Sequence, residues 1–116
     1  MKATLKRHFD AELARARAAE AAGDLGQAWR SLERAHILSQ AHAGPHVRVH
    51  LRMAGFALRQ RRVGELLGQV PRTLLAAPGT WLGRAPRGNT GGTDAGLFTP
   101  MEIPADLQAL LQDDAP

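Results

Sequence analysis

Short breakers cut this chain into segments whose apolar residues return every three or four positions, and that rhythm constrains the fold more than any other feature. Gly23–Asp24 and Ala43–Gly44–Pro45 separate the first three such segments. A strand would alternate its apolar residues with period two, whereas a helix gathers positions three and four apart on one face. Leu5, Phe9, Leu13 and Ala16 share a face in the first segment. Ala28, Leu32, Ala35 and Ser39, with Trp29 beside them, do so in the second, and Val49, Met53, Phe56 and Ala57 in the third. The apolar content agrees. Alanine and leucine carry it, with two tryptophans, three phenylalanines and no tyrosine, a supply that suits close-packed helices better than sheets of β-branched and aromatic residues. The fold class expected is all-α, within one domain of 116 residues.

Boundaries follow from the punctuation. The first helix is expected from Ala3 to Ala22, stopped by Gly23 in a left-handed C′ position, with Asp24 capping the next. The second runs from Leu25 to about Gln40 and the third over roughly 46–60, with Pro45 in or near its first turn. A fourth covers 63–76, where Pro71 is expected to kink or split it. Glycine and proline are frequent from Ala77 to Pro104, so that stretch is expected to be loop, followed by a short terminal helix over "ADLQALL". The expectation is therefore two antiparallel helical hairpins over 1–77, with an ordered tail over 78–116 docked on the same domain through Trp81, Phe98 and Met101.

The stretch "GDLGQAWRSLERA" (23–35) resembles the second half of a tetratricopeptide repeat, with Gly23, Asp24, Ala28, Leu32 and Ala35 at that family's turn and small-residue positions. The first helix matches less well, because Glu12 stands where the repeat usually has an aromatic residue. The whole chain is also similar to a family of short bacterial proteins catalogued as a domain of unknown function. That similarity is carried by "ERAHILSQ" (33–40), by His46 and His50, and by "GRAPRGNTG" (83–91) running into "FTPMEIP" (98–104). It implies no activity; it directs attention to those residues.

Charge and composition exclude several functions. There is no cysteine, hence no disulfide, thiolate site or cysteine nucleophile. No apolar stretch approaches the ~20 residues of a membrane span, and no signal peptide is visible, so a cytoplasmic location is expected. The net charge of +4 comes with arginines spread from Arg7 to Arg87 among acidic residues, and only "LRQRRV" (58–63) is dense. Nucleic-acid binders concentrate charge on one face, so this class is disfavoured.

Four of the five histidines lie between positions 36 and 50. Glu33 and His36 share a helix face, as do His46 and His50, and a hairpin of the second and third helices lets the two faces meet. Glu33, His36, His46 and His50 are therefore the candidate ligands of one transition metal ion, with Zn, Fe, Ni, Mn and Cu all compatible with imidazole and carboxylate donors. Met53 would add a soft ligand and favour copper, and His42 lies near the turn. The alternative for the same residues is a buried polar cluster, with Glu33 paired to Arg30 or Arg34. A reading of another class is an interaction adaptor that accepts a peptide or helix in a groove between hairpins. Binding is favoured over catalysis; no catalytic triad assembles around Ser31 or Ser39, and an enzyme would need water activated at the metal. "GRAPRGNTGG" (83–92) lacks the ending of a phosphate loop and reads as a tight turn with Asn89 and Gly91 at positive φ.

Overall fold

The computed structural model of the chain describes residues 1–81, 90–92 and 101–116. Among them the fold is all-helical: α1 (Ala3–Ala21), α2 (Leu25–Ser39), α3 (Ala43–Arg59), α4 (Val63–Trp81) and α5 (Ala105–Asp114). Three-residue connections make hairpins of α1 with α2 and α3 with α4, α2 and α3 pack between the pairs, and α5 lies on α1 and α2. No helix among the described residues is long and apolar enough to cross a membrane.

The first turn is built as its residues dictate. Gly23 takes φ +80° and donates to the Glu20 carbonyl at 3.0 Å, while Asp24 N–H reaches back to Ala19 O at 2.9 Å. This 6→1 and 5→2 pair satisfies the last carbonyls of α1. Asp24 then caps α2, its Oδ1 accepting from Gln27 N–H at 3.1 Å. The turn after α3 has the same form with a less suitable residue: Arg61 adopts φ +56°, and Arg62 N–H closes onto Ala57 O at 2.8 Å.

Helix α4 departs from expectation. It continues past residue 76 to Trp81 with both Pro71 and Pro78 inside it. Each proline deprives the carbonyl four residues earlier of its N–H partner. Those carbonyls belong to Leu67 and Leu74, which are themselves exposed, as are both prolines, so water can take the missing bonds. Its outer side carries Val63, Leu67, Val70 and Leu74, all exposed, and its inner side buries Gln69 and Ala76. Polar residues inside and apolar ones outside invert the usual amphipathic helix.

The core joins Leu5, Phe9 and Leu13 of α1 to Leu32, Ala35 and Leu38 of α2, to Val49, Met53 and Phe56 of α3, and to Ile103 and Leu107. Trp29 is only half-buried and tilts against Phe56 at 5.5 Å. Of the expected tail anchors, one is corrected. Met101 is exposed, and Ile103 and Leu107 fill the core instead; Phe98 and the side chain of Trp81 lie outside the described residues. Glu12 is buried on α1, accepting from Arg15 and from Arg34 at 3.0 Å each, and Arg34 also holds Asp106 of α5. Asp114 takes Lys2 N–H at 2.6 Å and His42 Nε2 at 2.9 Å, so the end of α5 is fastened to the start of α1 and to the α2–α3 turn.

Leu32 is buried between the hairpins. Leu32→Ala is expected to lower the unfolding free energy by about 2–5 kcal/mol in denaturant titration, the range for a large-to-small change in a core; a loss below about 0.5 kcal/mol would be inconsistent with this packing.

Candidate metal centre

Helices α2 and α3 bring three imidazoles to one point. His36 comes from the last turn of α2, and His46 and His50 come from adjacent turns of α3. Their Nε2 atoms are separated by 3.0 Å (His36–His50), 3.1 Å (His36–His46) and 3.3 Å (His46–His50). The residues are 2%, 5% and 3% exposed, in that order of position. They are a group of buried side chains whose ligand atoms lie within 4.8 Å of one another and could hold a metal ion.

Glu33 lies one turn before His36 and is half-buried, and its carboxylate is not part of that group. Arg34, one of the two partners considered for it, is engaged by Glu12 and Asp106. His42 belongs to the α5 clamp, bonded to Asp114. Met53 is fully buried in the apolar core.

The neighbours of the histidines decide which ring nitrogen carries the proton. Gln69 Nε2 donates to two acceptors, Glu65 Oε1 at 2.9 Å and the Gly91 carbonyl at 2.8 Å. Its Oε1 therefore faces His50 Nδ1 at 2.7 Å and can only accept, so His50 is protonated at Nδ1. Thr80 Oγ1 donates to the Gln40 carbonyl at 3.1 Å and so accepts from His46 Nδ1 at 2.8 Å. Both rings thus direct a bare Nε2 lone pair at the shared point, and only His36 can place a proton there when all three are neutral. Tying Nδ1–H to an outer acceptor and presenting the other nitrogen is how proteins orient histidines that bind metals.

Helix α4 supplies no ligand, yet Gln69 and Thr80, three turns apart, orient two of the three. The third is seated by Gly91. This residue has φ +84°, and a Cβ on it would lie 2.5 Å from His36 Cδ2, 2.8 Å from Cγ and 2.8 Å from Nε2. Distances so similar place the Gly91 backbone over the face of the ring. Positive φ was expected here; Asn89, the other residue of that expectation, lies outside the described residues.

The nitrogen spacing fits a metal. An ion about 2.0–2.1 Å from each nitrogen needs them roughly 3.3 Å apart on a tetrahedral face and about 2.9 Å apart on an octahedral one. The observed 3.0–3.3 Å spans that interval.

Gln69, Thr80 and Gly91 were not singled out as site residues in the sequence. The signal for the first two is the inverted polarity of α4. For Gly91 it is the Asn-Thr-Gly-Gly turn itself.

The molecule is thus an all-helical protein with a buried three-histidine centre. The model of the family described as "Protein of unknown function (DUF3703)" matches residues 3–111, and the chain belongs to that family. No curated protein and no solved structure matches it.

Burial pushes the His46 pKa down to about 4, aided by the neighbouring His50 and opposed by a bond to the Ala76 carbonyl. Burial likewise lowers His50 to about 4, with the charge of Arg72 adding to the effect and the Gln69 bond opposing it. A histidine whose pKa is lower folded than unfolded binds fewer protons in the native state, so stability rises with pH where the unfolded chain is losing them. In the metal-free protein this contribution is complete above the ordinary value near 6.5 and falls as pH drops towards about 4. At about 1.4 kcal/mol per pH unit for each group, the loss is on the order of a few kcal/mol. Denaturant titrations between pH 7 and pH 4 check this, and His50→Gln should flatten the dependence; an unchanged slope in that variant would contradict the assignment.

Proposed function

We propose that this chain is a transition-metal-binding protein whose ion sits among Nε2 of His36, His46 and His50. One observation carries the reading: three buried imidazoles converge at metal-compatible spacing, and the bonds that fix His46 and His50 leave their lone pairs facing each other. Two lone pairs 3.3 Å apart repel unless a cation, or the single proton that His36 Nε2 can supply, lies between them. Imidazole donors suit Zn, Cu, Fe and Ni, so the ligand set selects this group over Mg or Ca. Glu33, one turn before His36, is outside this triad.

Metal binding draws together side chains from α2 and α3, which separate on unfolding, so it stabilises the fold by RT ln(1 + [L]/Kd), about 2.7 kcal/mol at a hundred times Kd. Thermal denaturation with Zn, Ni, Cu and Fe in turn tests the proposal. At least one metal is expected to raise the Tm. His36→Ala and His50→Ala should abolish the rise, and His8→Ala on α1 should leave it intact. A Tm indifferent to all four metals would end the metal reading and leave a polar cluster.

A further inference from the structure

Three donors do not complete a coordination sphere. Nitrogens 3.0–3.3 Å apart occupy one face of a tetrahedron or octahedron, so an ion bound by them keeps at least one position on the side away from the triad. The charges around the site bear on what fills it. Imidazoles that coordinate through Nε2 while holding a proton on Nδ1 are neutral, so a dication would bring two uncompensated charges among residues at most 5% exposed. Glu65 reaches the triad through the Gln69 amide, one hydrogen-bonded group removed from His50. The guanidinium of Arg72 acts on His50 with the opposite sign. Among the described residues no carboxylate joins the three nitrogens. A buried charge in such surroundings requires a partner.

Resting on the metal-binding reading above, we propose that the metal's remaining position is a binding site for one small anion from solution. The anion is compact, since the three imidazoles around the position are at most 5% exposed. Hydroxide formed from bound water and an anion such as chloride or azide share this chemistry, because a metal flanked by three neutral nitrogens acidifies its water strongly. The site would then present a reactive or exchangeable ligand, where a fourth side chain would have closed it.

The full chain loaded with Co(II) reports this directly, because the visible d–d bands of Co(II) follow its ligands. Equilibrium dialysis first establishes one bound ion per chain. In chloride-free buffer, azide is expected to shift the bands saturably. Glu33→Gln should begin from nearly the wild-type spectrum and undergo the same shift. A change on adding chloride alone assigns the native ligand to a solution anion. Bands that ignore chloride, yet change with pH and yield to azide, assign it to hydroxide; both results support the proposal. Bands unmoved by azide and thiocyanate at saturating concentration overturn it. So does a spectrum already altered by Glu33→Gln and unresponsive to anions, since a protein carboxylate then closes the sphere. Failure to bind Co(II), Zn or Cu in dialysis would overturn the metal reading itself, and the anion site with it.

Discussion

The side-chain amide of Gln69 touches three parts of the molecule at once, and its two ends are not interchangeable. Its nitrogen lies between the Glu65 carboxylate and the Gly91 carbonyl, both acceptors. Its oxygen must then meet His50 Nδ1, which forces that ring to present Nε2 as a lone pair. The same amide holds the Gly91 backbone where it can lie on His36. One fully buried residue on a helix that contributes no ligand thereby fixes the chemical form of one imidazole and the seat of another. Thr80, three turns along, does for His46 what Gln69 does for His50.

This arrangement is costly by itself. Burying three imidazoles so close together disfavours protonation of His46 and His50 and sets two lone pairs against each other, and the rest of the fold has to offset that cost. The apolar core does so on one side of α2 and α3, where Leu32, Leu38, Val49, Met53 and Phe56 meet the α1 and α5 side chains. The other side of the same two helices carries the histidines. Ion pairs from Arg34 to Glu12 and Asp106, and from His42 to Asp114, fasten α5 across the far side, away from the triad.

Much of the helical skeleton was legible in the sequence because its signals are local. Gly23 and Asp24 perform the stop and the cap that their residue types suggest, and the stripes of the first three helices are buried as their spacing implies. Helix α4 was misjudged because proline penalties depend on which face the proline occupies. Pro71 and Pro78 sit on an exposed face where water can satisfy the carbonyls they leave unpaired, and no local pattern reveals that. The three histidines were visible as a group from their i,i+4 spacing and the hairpin. Glu33 was included because one turn of helix separates it from His36, but sharing a helix face does not bring a carboxylate to the point where the rings meet. Gln69 and Gly91 escaped notice for a different reason: their roles exist only once α4 and the segment around residue 91 pack on α3 and α2, which is long-range information.

The central claim is that three imidazole nitrogens, from His36, His46 and His50, hold a transition metal. X-ray absorption at the Zn edge of the loaded protein tests it most directly. The account predicts a first shell with nitrogen neighbours at about 2.0–2.1 Å and outer-shell scattering from three imidazole rings, lost in part when His46 is replaced by alanine. A first shell dominated by oxygen with at most one ring behind it, unchanged by that replacement, would show that the ion binds elsewhere and would contradict the account.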